Sequence, residues 1–71
     1  MRENSAKDIR IYGINGPVIT LRGNTGLSMM EMVLVGNDQL VGEVIGLNDS
    51  ETTIQVYENT TGLRPGEPVV G

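Results

Sequence analysis

Seventy-one residues carry 5 basic and 9 acidic side chains, a formal charge of −4, with 2 tyrosines as the only aromatics and neither His nor Cys. That length holds one small domain at most, and the missing residue types exclude disulfides, thiolate nucleophiles, imidazole bases and the common zinc sites. One lysine and four scattered arginines under a net negative charge exclude a phosphate-tracking surface, so nucleic acid is not an expected partner.

In chain order, residues 1–8 are polar, lack the apolar stretch of a signal peptide and are expected to be disordered. No window approaches the roughly 18 apolar residues of a membrane span. A soluble, cytoplasmic domain without direct membrane contact is the expectation. Period-two alternation then predicts short strands. The first covers 8–14, with Ile9 and Ile11 on one face. Gly16-Pro17 turns the chain into a second strand over 18–21. A polar loop over 22–28 precedes a strand over 29–35, in which Met30, Met32 and Leu34 alternate with Met29, Glu31, Val33 and Val35.

Gly36-Asn37-Asp38 has hairpin-turn composition and leads into the longest strand, 39–47. There Val41, Glu43 and Ile45 lie opposite Leu40 and Val44, with apolar groups on both faces. Gly42 and Gly46 inside it are expected to permit bulges and tight coiling. Residues 48–51 turn the chain into a strand over 52–57, with Ile54 and Val56 on a core face and Thr53, Gln55 and Tyr57 on the other. A loop over 58–67 reaches the final apolar run. Gly62 and Gly66 stand where turns need positive φ, and Pro65-Gly66 matches the centre of a type II turn. Val, Ile and Thr make up twenty of the 71 residues, and β-branched side chains favour a pleated surface. Six short strands and no covering helix predict an all-β fold, a small closed six-stranded β-barrel over residues 9–71, because closure hides strand edges.

Chemistry is sparse. The single lysine, Lys7, precedes the first strand, and no glycine loop leads to a Lys-Ser or Lys-Thr pair, so no phosphate loop exists. Gly13-Ile14-Asn15-Gly16 is followed by proline and a strand, which makes it a turn. Glu43 is the carboxylate set deepest in an apolar strand, and a solvent face or a subunit contact explains it better than acid–base catalysis. No catalytic, cofactor-binding or metal-ligating residue is assigned.

Four stretches share an order with a known family: Gly16-Pro17-Val18, Met32-Val33-Leu34-Val35-Gly36, Leu40-Val41-Gly42-Glu43-Val44-Ile45, and Gln55-Val56-Tyr57-Glu58-Asn59-Thr60-Thr61-Gly62-Leu63 running into Pro65-Gly66-Glu67-Pro68-Val69. Together they resemble the N-terminal domain of the catalytic A subunit of vacuolar/archaeal-type rotary ATPases. The resemblance implies a crown barrel that holds a hexameric ring together beside neighbouring non-catalytic subunits. It implies a parent subunit that binds ATP and Mg and couples nucleotide chemistry to proton or sodium transport, at the cytoplasmic periphery of a membrane. The phosphate loop, catalytic glutamate and arginine finger would all lie downstream. The family's barrel continues shortly past the position of Gly71, which leaves closure there incomplete. Glu43, Thr53, Gln55 and Tyr57 are the candidate subunit contacts, Gly16, Pro17, Gly36, Gly62, Pro65 and Gly66 the structural turns, and the isolated chain is expected to be a monomer. The competing reading is an independent β-barrel module that binds a peptide or small ligand; an enzyme in its own right comes third.

Overall fold

Every strand runs antiparallel to its sheet neighbours in the computed structural model, which describes residues 9–23 and 25–71. The strands are β1 (Ile11–Asn15), β2 (Val18–Arg22), β3 (Met32–Val35), β4 (Leu40–Leu47), β5 (Glu51–Val56) and β6 (Val69–Val70). They form one sheet in the order β1-β2-β5-β4-β3-β6. The expectation for residues 1–8 lies outside the described residues.

Hairpin chemistry sets the first register. Asn15 faces Val18, so Gly16 and Pro17 form a two-residue loop. Gly16 has φ +59° and proline's ring fixes a negative φ after it, the φ pattern of a type II′ turn whose twist matches the strands. Tyr12 is the extra residue of a bulge, since Ile11 faces Leu21 while Gly13 faces Thr20. A second bulge falls at Ile45, between the pairs Val44–Ile54 and Gly46–Thr53. Gly42 serves a different purpose from the bulge expected there. It is buried, and a β-carbon on it would lie 2.9 Å from Ile54 Cγ2 and 3.1 Å from the Gln55 carbonyl oxygen. Close strand packing, not backbone irregularity, requires glycine at that position.

The third strand is shorter than the alternation predicts. Met30 takes φ +66°, and Glu31 donates its backbone N–H to the Ser28 carbonyl at 3.1 Å, so residues 28–31 turn before β3 begins. Pairing with β4 nonetheless continues, through Met30 N to Val44 O at 2.8 Å and Val44 N to Glu31 O at 3.0 Å.

The sheet curls until its outer edges meet at one end. Arg10 bridges to Pro68. Val69 N donates to Ile9 O at 3.0 Å, Ile11 N to Glu67 O at 2.9 Å and Gly66 N to Ile11 O at 2.8 Å. Inside the curl, Ile11, Ile19, Leu21, Val33, Val35, Val44, Ile54, Val56, Leu63 and Val69 form the core. Each contributes roughly 1.5–3 kcal/mol of burial. The buried hydroxyls of Thr25 and Thr52 bond each other at 3.0 Å, so neither is left unsatisfied.

Candidate functional site: the outer face of the β3–β4–β5 sheet

Alternation decides which side chains reach the outside. With Val33, Val35, Val44, Ile54 and Val56 inside, Leu34, Val41, Glu43, Thr53, Gln55 and Tyr57 point away from the core, as the period of two requires. Glu43 and Gln55 are direct cross-strand partners. The Tyr57 hydroxyl donates to Glu43 Oε1 across the same pair of strands. Three of the four expected contact residues therefore form one group. Thr53 stands apart from it, facing Gly46 beyond the Ile45 bulge.

The phenol of Tyr57 is pushed above its ordinary value. The hydrogen bond to Glu43 is the main cause, followed by partial desolvation and the carboxylate's charge. Ionising the phenol would remove a donor and set two negative charges together.

A row of apolar side chains crosses the face beside this group. Leu34 pairs with Val70 on one side and Val41 on the other. Tyr57 N donates to Val41 O at 3.0 Å, which extends the row to Val70, Leu34, Val41 and Tyr57. They are 55%, 37%, 38% and 56% exposed. Met32, which pairs with Glu43, is also exposed. The apolar second face of the long strand thus lies outside and does not fill the interior. Val70 and Leu34 were not among the expected contacts. The alternation at Met32 and Leu34 carried the signal, but only the pairing with β6 shows that Val70 joins them.

The run from Gln55 to Val69 works mainly as a lacing. Glu58 Oε2 accepts Val41 N at 2.7 Å, Thr60 Oγ1 donates to Gly16 O at 2.8 Å, and Leu63 enters the core. Glu67 accepts Asn37 N at 2.9 Å and Arg64 N at 3.0 Å. Gly36 N donates to Pro68 O at 2.7 Å. All six expected turn residues lie in turns, yet they differ in need. Gly16, Gly36 and Gly66 take φ of +59°, +80° and +95°. Gly62 does not adopt a left-handed φ. That corrects the expectation for it: the Thr60–Leu63 turn closes by Leu63 N donating to Thr60 O at 2.9 Å with ordinary backbone at its glycine.

Gly16, Gly36 and Gly66 lie in three separate turns, and the Gly13–Gly16 segment is a strand and its hairpin. Among the described residues no three carboxylates gather to hold a metal ion, and no helix is long and apolar enough to cross a membrane.

Residues 11–71 match the family model described as the ATP synthase alpha/beta family, beta-barrel domain. The chain is 51% identical over 61 residues to the catalytic A subunit of the V-type proton ATPase of Neurospora crassa, covering 86% of this chain and 10% of that protein. It is 49% identical over 70 residues to the protein of the same name from Cyanidium caldarium, covering 99% and 12%. To the A subunit of the A-type ATP synthase of Methanococcus vannielii it is 50% identical over 62 residues, covering 87% and 11%. The chain thus spans about a tenth of the length of these relatives. Among solved structures it shares its fold with the assembled ATPase EscN of the enteropathogenic E. coli type III secretion system, at a TM-score of 0.77 and 21% identity, covering 89% of this chain and 15% of that one.

Proposed function

The chain belongs to the ATP synthase alpha/beta family through its β-barrel domain, and from that premise we propose that it is the crown barrel of a V/A-type catalytic A subunit. Its work is assembly: it holds the catalytic subunit beside neighbouring non-catalytic subunits in a hexameric ring. The parent subunit binds ATP and Mg and couples hydrolysis or synthesis to proton or sodium transport, peripheral to the membrane on its cytoplasmic side. This barrel supplies no catalytic step and touches neither nucleotide nor lipid.

The observation that carries the reading is the lacing of the Gln55–Val69 run. Glu58, Thr60 and Glu67 are each committed to backbone groups of another turn or strand, so the stretch that carries the family resemblance makes the barrel stiff. A domain that keeps subunits in register while others change shape needs stiffness and lateral surfaces. Small lateral contacts are individually weak, which agrees with a monomeric isolated chain and with assembly that requires the rest of the subunit.

Removing residues 9–71 from the full-length subunit tests this. Native mass spectrometry with the second ring subunit should show loss of the hexamer, while the remaining subunit keeps its affinity for ATP–Mg. Normal hexamers from the shortened subunit would refute the assembly role.

A further inference from the structure

We propose that the outer row Val70–Leu34–Val41–Tyr57, with its acidic border, is a docking surface for the adjoining, non-identical ring subunit, which presents an apolar cluster bordered by Arg or Lys. The inference rests on the ring reading above and adds the face and the chemistry of the partner. The row runs unbroken over four antiparallel segments, from Val70 on β6 to Tyr57 just past β5. Each member is over a third exposed, although the inner positions of the same strands already supply the core. Aromatic and apolar groups at the centre of a patch with charge at its rim have the composition of a protein interface.

The rim decides the occupant. Glu43 and Glu58 flank the Val41–Tyr57 end of the row, Glu43 through the Tyr57 hydroxyl and Glu58 through Val41 N. Each of those bonds engages one oxygen of its carboxylate and leaves the charge in place. Two arginines among the described residues are engaged elsewhere: Arg22 lies 4.6 Å from the centroid of the Tyr12 ring, and Arg10 donates to Gly66 O at the seam. A second copy of this face would bring Glu43 and Glu58 against like charges, whereas a partner with Arg or Lys at its rim meets opposite charge. The Tyr57–Glu43 bond also fixes the orientation of the ring in advance, which lowers the entropy lost on docking.

The test uses the full-length subunit with its ring partner, and follows hexamer formation by native mass spectrometry across a concentration series and at two salt concentrations. Leu34→Glu changes an exposed position and Glu43→Lys a half-buried one on the outer face, and a thermal melt of each confirms folding. Asp49→Lys, in the turn between β4 and β5, makes the same charge change off the face. Leu34→Glu and Glu43→Lys should each raise the concentration for half-assembly at least tenfold, with Asp49→Lys within twofold of the parent. Wild-type assembly should weaken with added salt, and Glu43→Lys should lose much of that dependence. If Leu34→Glu or Glu43→Lys folds and assembles as the parent does while the subunit lacking residues 9–71 does not, the face is wrong and the ring reading stands. If the shortened subunit forms hexamers too, the ring reading falls, and this proposal with it. If the variants instead abolish self-association of the subunit without its partner, the occupant is a second copy and the proposal is overturned.

Discussion

A β-carbon placed on Gly36 would lie 2.7 Å from Glu67 Oε1, the same oxygen that accepts the Asn37 amide at 2.9 Å. The two residues are 31 positions apart, and their closeness fastens the β3–β4 hairpin to the loop before β6. The glycine must also hold φ +80°. Space and backbone angle therefore impose the same choice at position 36.

Gly36→Ala should destabilise the fold by about 3 kcal/mol. A left-handed backbone costs an L-residue about 1–2 kcal/mol, and the methyl must also displace Glu67 and Leu63, an overpacking cost of about 1–3 kcal/mol. Urea unfolding followed by circular dichroism gives the difference. A loss below about 1 kcal/mol would mean that the hairpin shifts freely away from the loop.

Gly66 and Gly62 separate backbone strain from crowding. No atom lies within 4 Å of a β-carbon built on either, but Gly66 holds φ +95° and Gly62 does not adopt a left-handed φ. Gly66→Ala should cost about 1 kcal/mol from strain alone, whereas Gly62→Ala should be neutral or stabilising by up to about 1 kcal/mol through the unfolded chain. Equal effects at the two sites would contradict the assigned geometry.

In a Tyr12→Phe background, Tyr57 should titrate above the ordinary tyrosine value when phenolate absorbance is followed against pH, because its hydroxyl donates to Glu43. Glu43→Gln should bring Tyr57 back toward 10.0, the ordinary value for a tyrosine. The folded value is raised above the unfolded one. The stability it contributes is thus fully present below the unfolded value and is lost as pH rises through the folded value. A Tyr57 titration at the ordinary tyrosine value, unchanged by the substitution, would contradict the bond.

Titrating this chain with ATP–Mg while following amide shifts should give no localised saturable change. No glycine loop in its sequence leads into a Lys-Ser or Lys-Thr pair. Micromolar saturation would contradict the assignment of nucleotide binding to other parts of the parent subunit.

The strands were legible in the sequence because burial on one face imposes a period of two. Ile54 and Val56 against Gln55 and Tyr57 show it without ambiguity. Positions where backbone geometry departs from that period were not legible. Met30 looked like part of a strand, yet its left-handed φ places it in a turn, and no local residue type announces that. The bulges at Tyr12 and Ile45 depend on how neighbouring strands register, which a single strand's pattern does not contain. The contact group Glu43, Gln55 and Tyr57 was visible as outward positions, and pairing joined them. Val70 was hidden for the complementary reason: its place in the row depends on β6 reaching β3 from far along the chain, a non-local pairing. Thr60 and Glu67 likewise showed as members of a motif, while their partners Gly16 and Asn37 became evident only in three dimensions.

The most direct measurement is an image of the assembled ring, by electron cryomicroscopy of the full-length protein with its partner at side-chain detail. The account predicts that residues 9–71 stand at the crown with Leu34, Val41 and Tyr57 covered by the neighbouring subunit and a cation of that neighbour beside Glu43. A ring whose barrels stand apart, with the outer face of β3, β4 and β5 open to solvent, would contradict it.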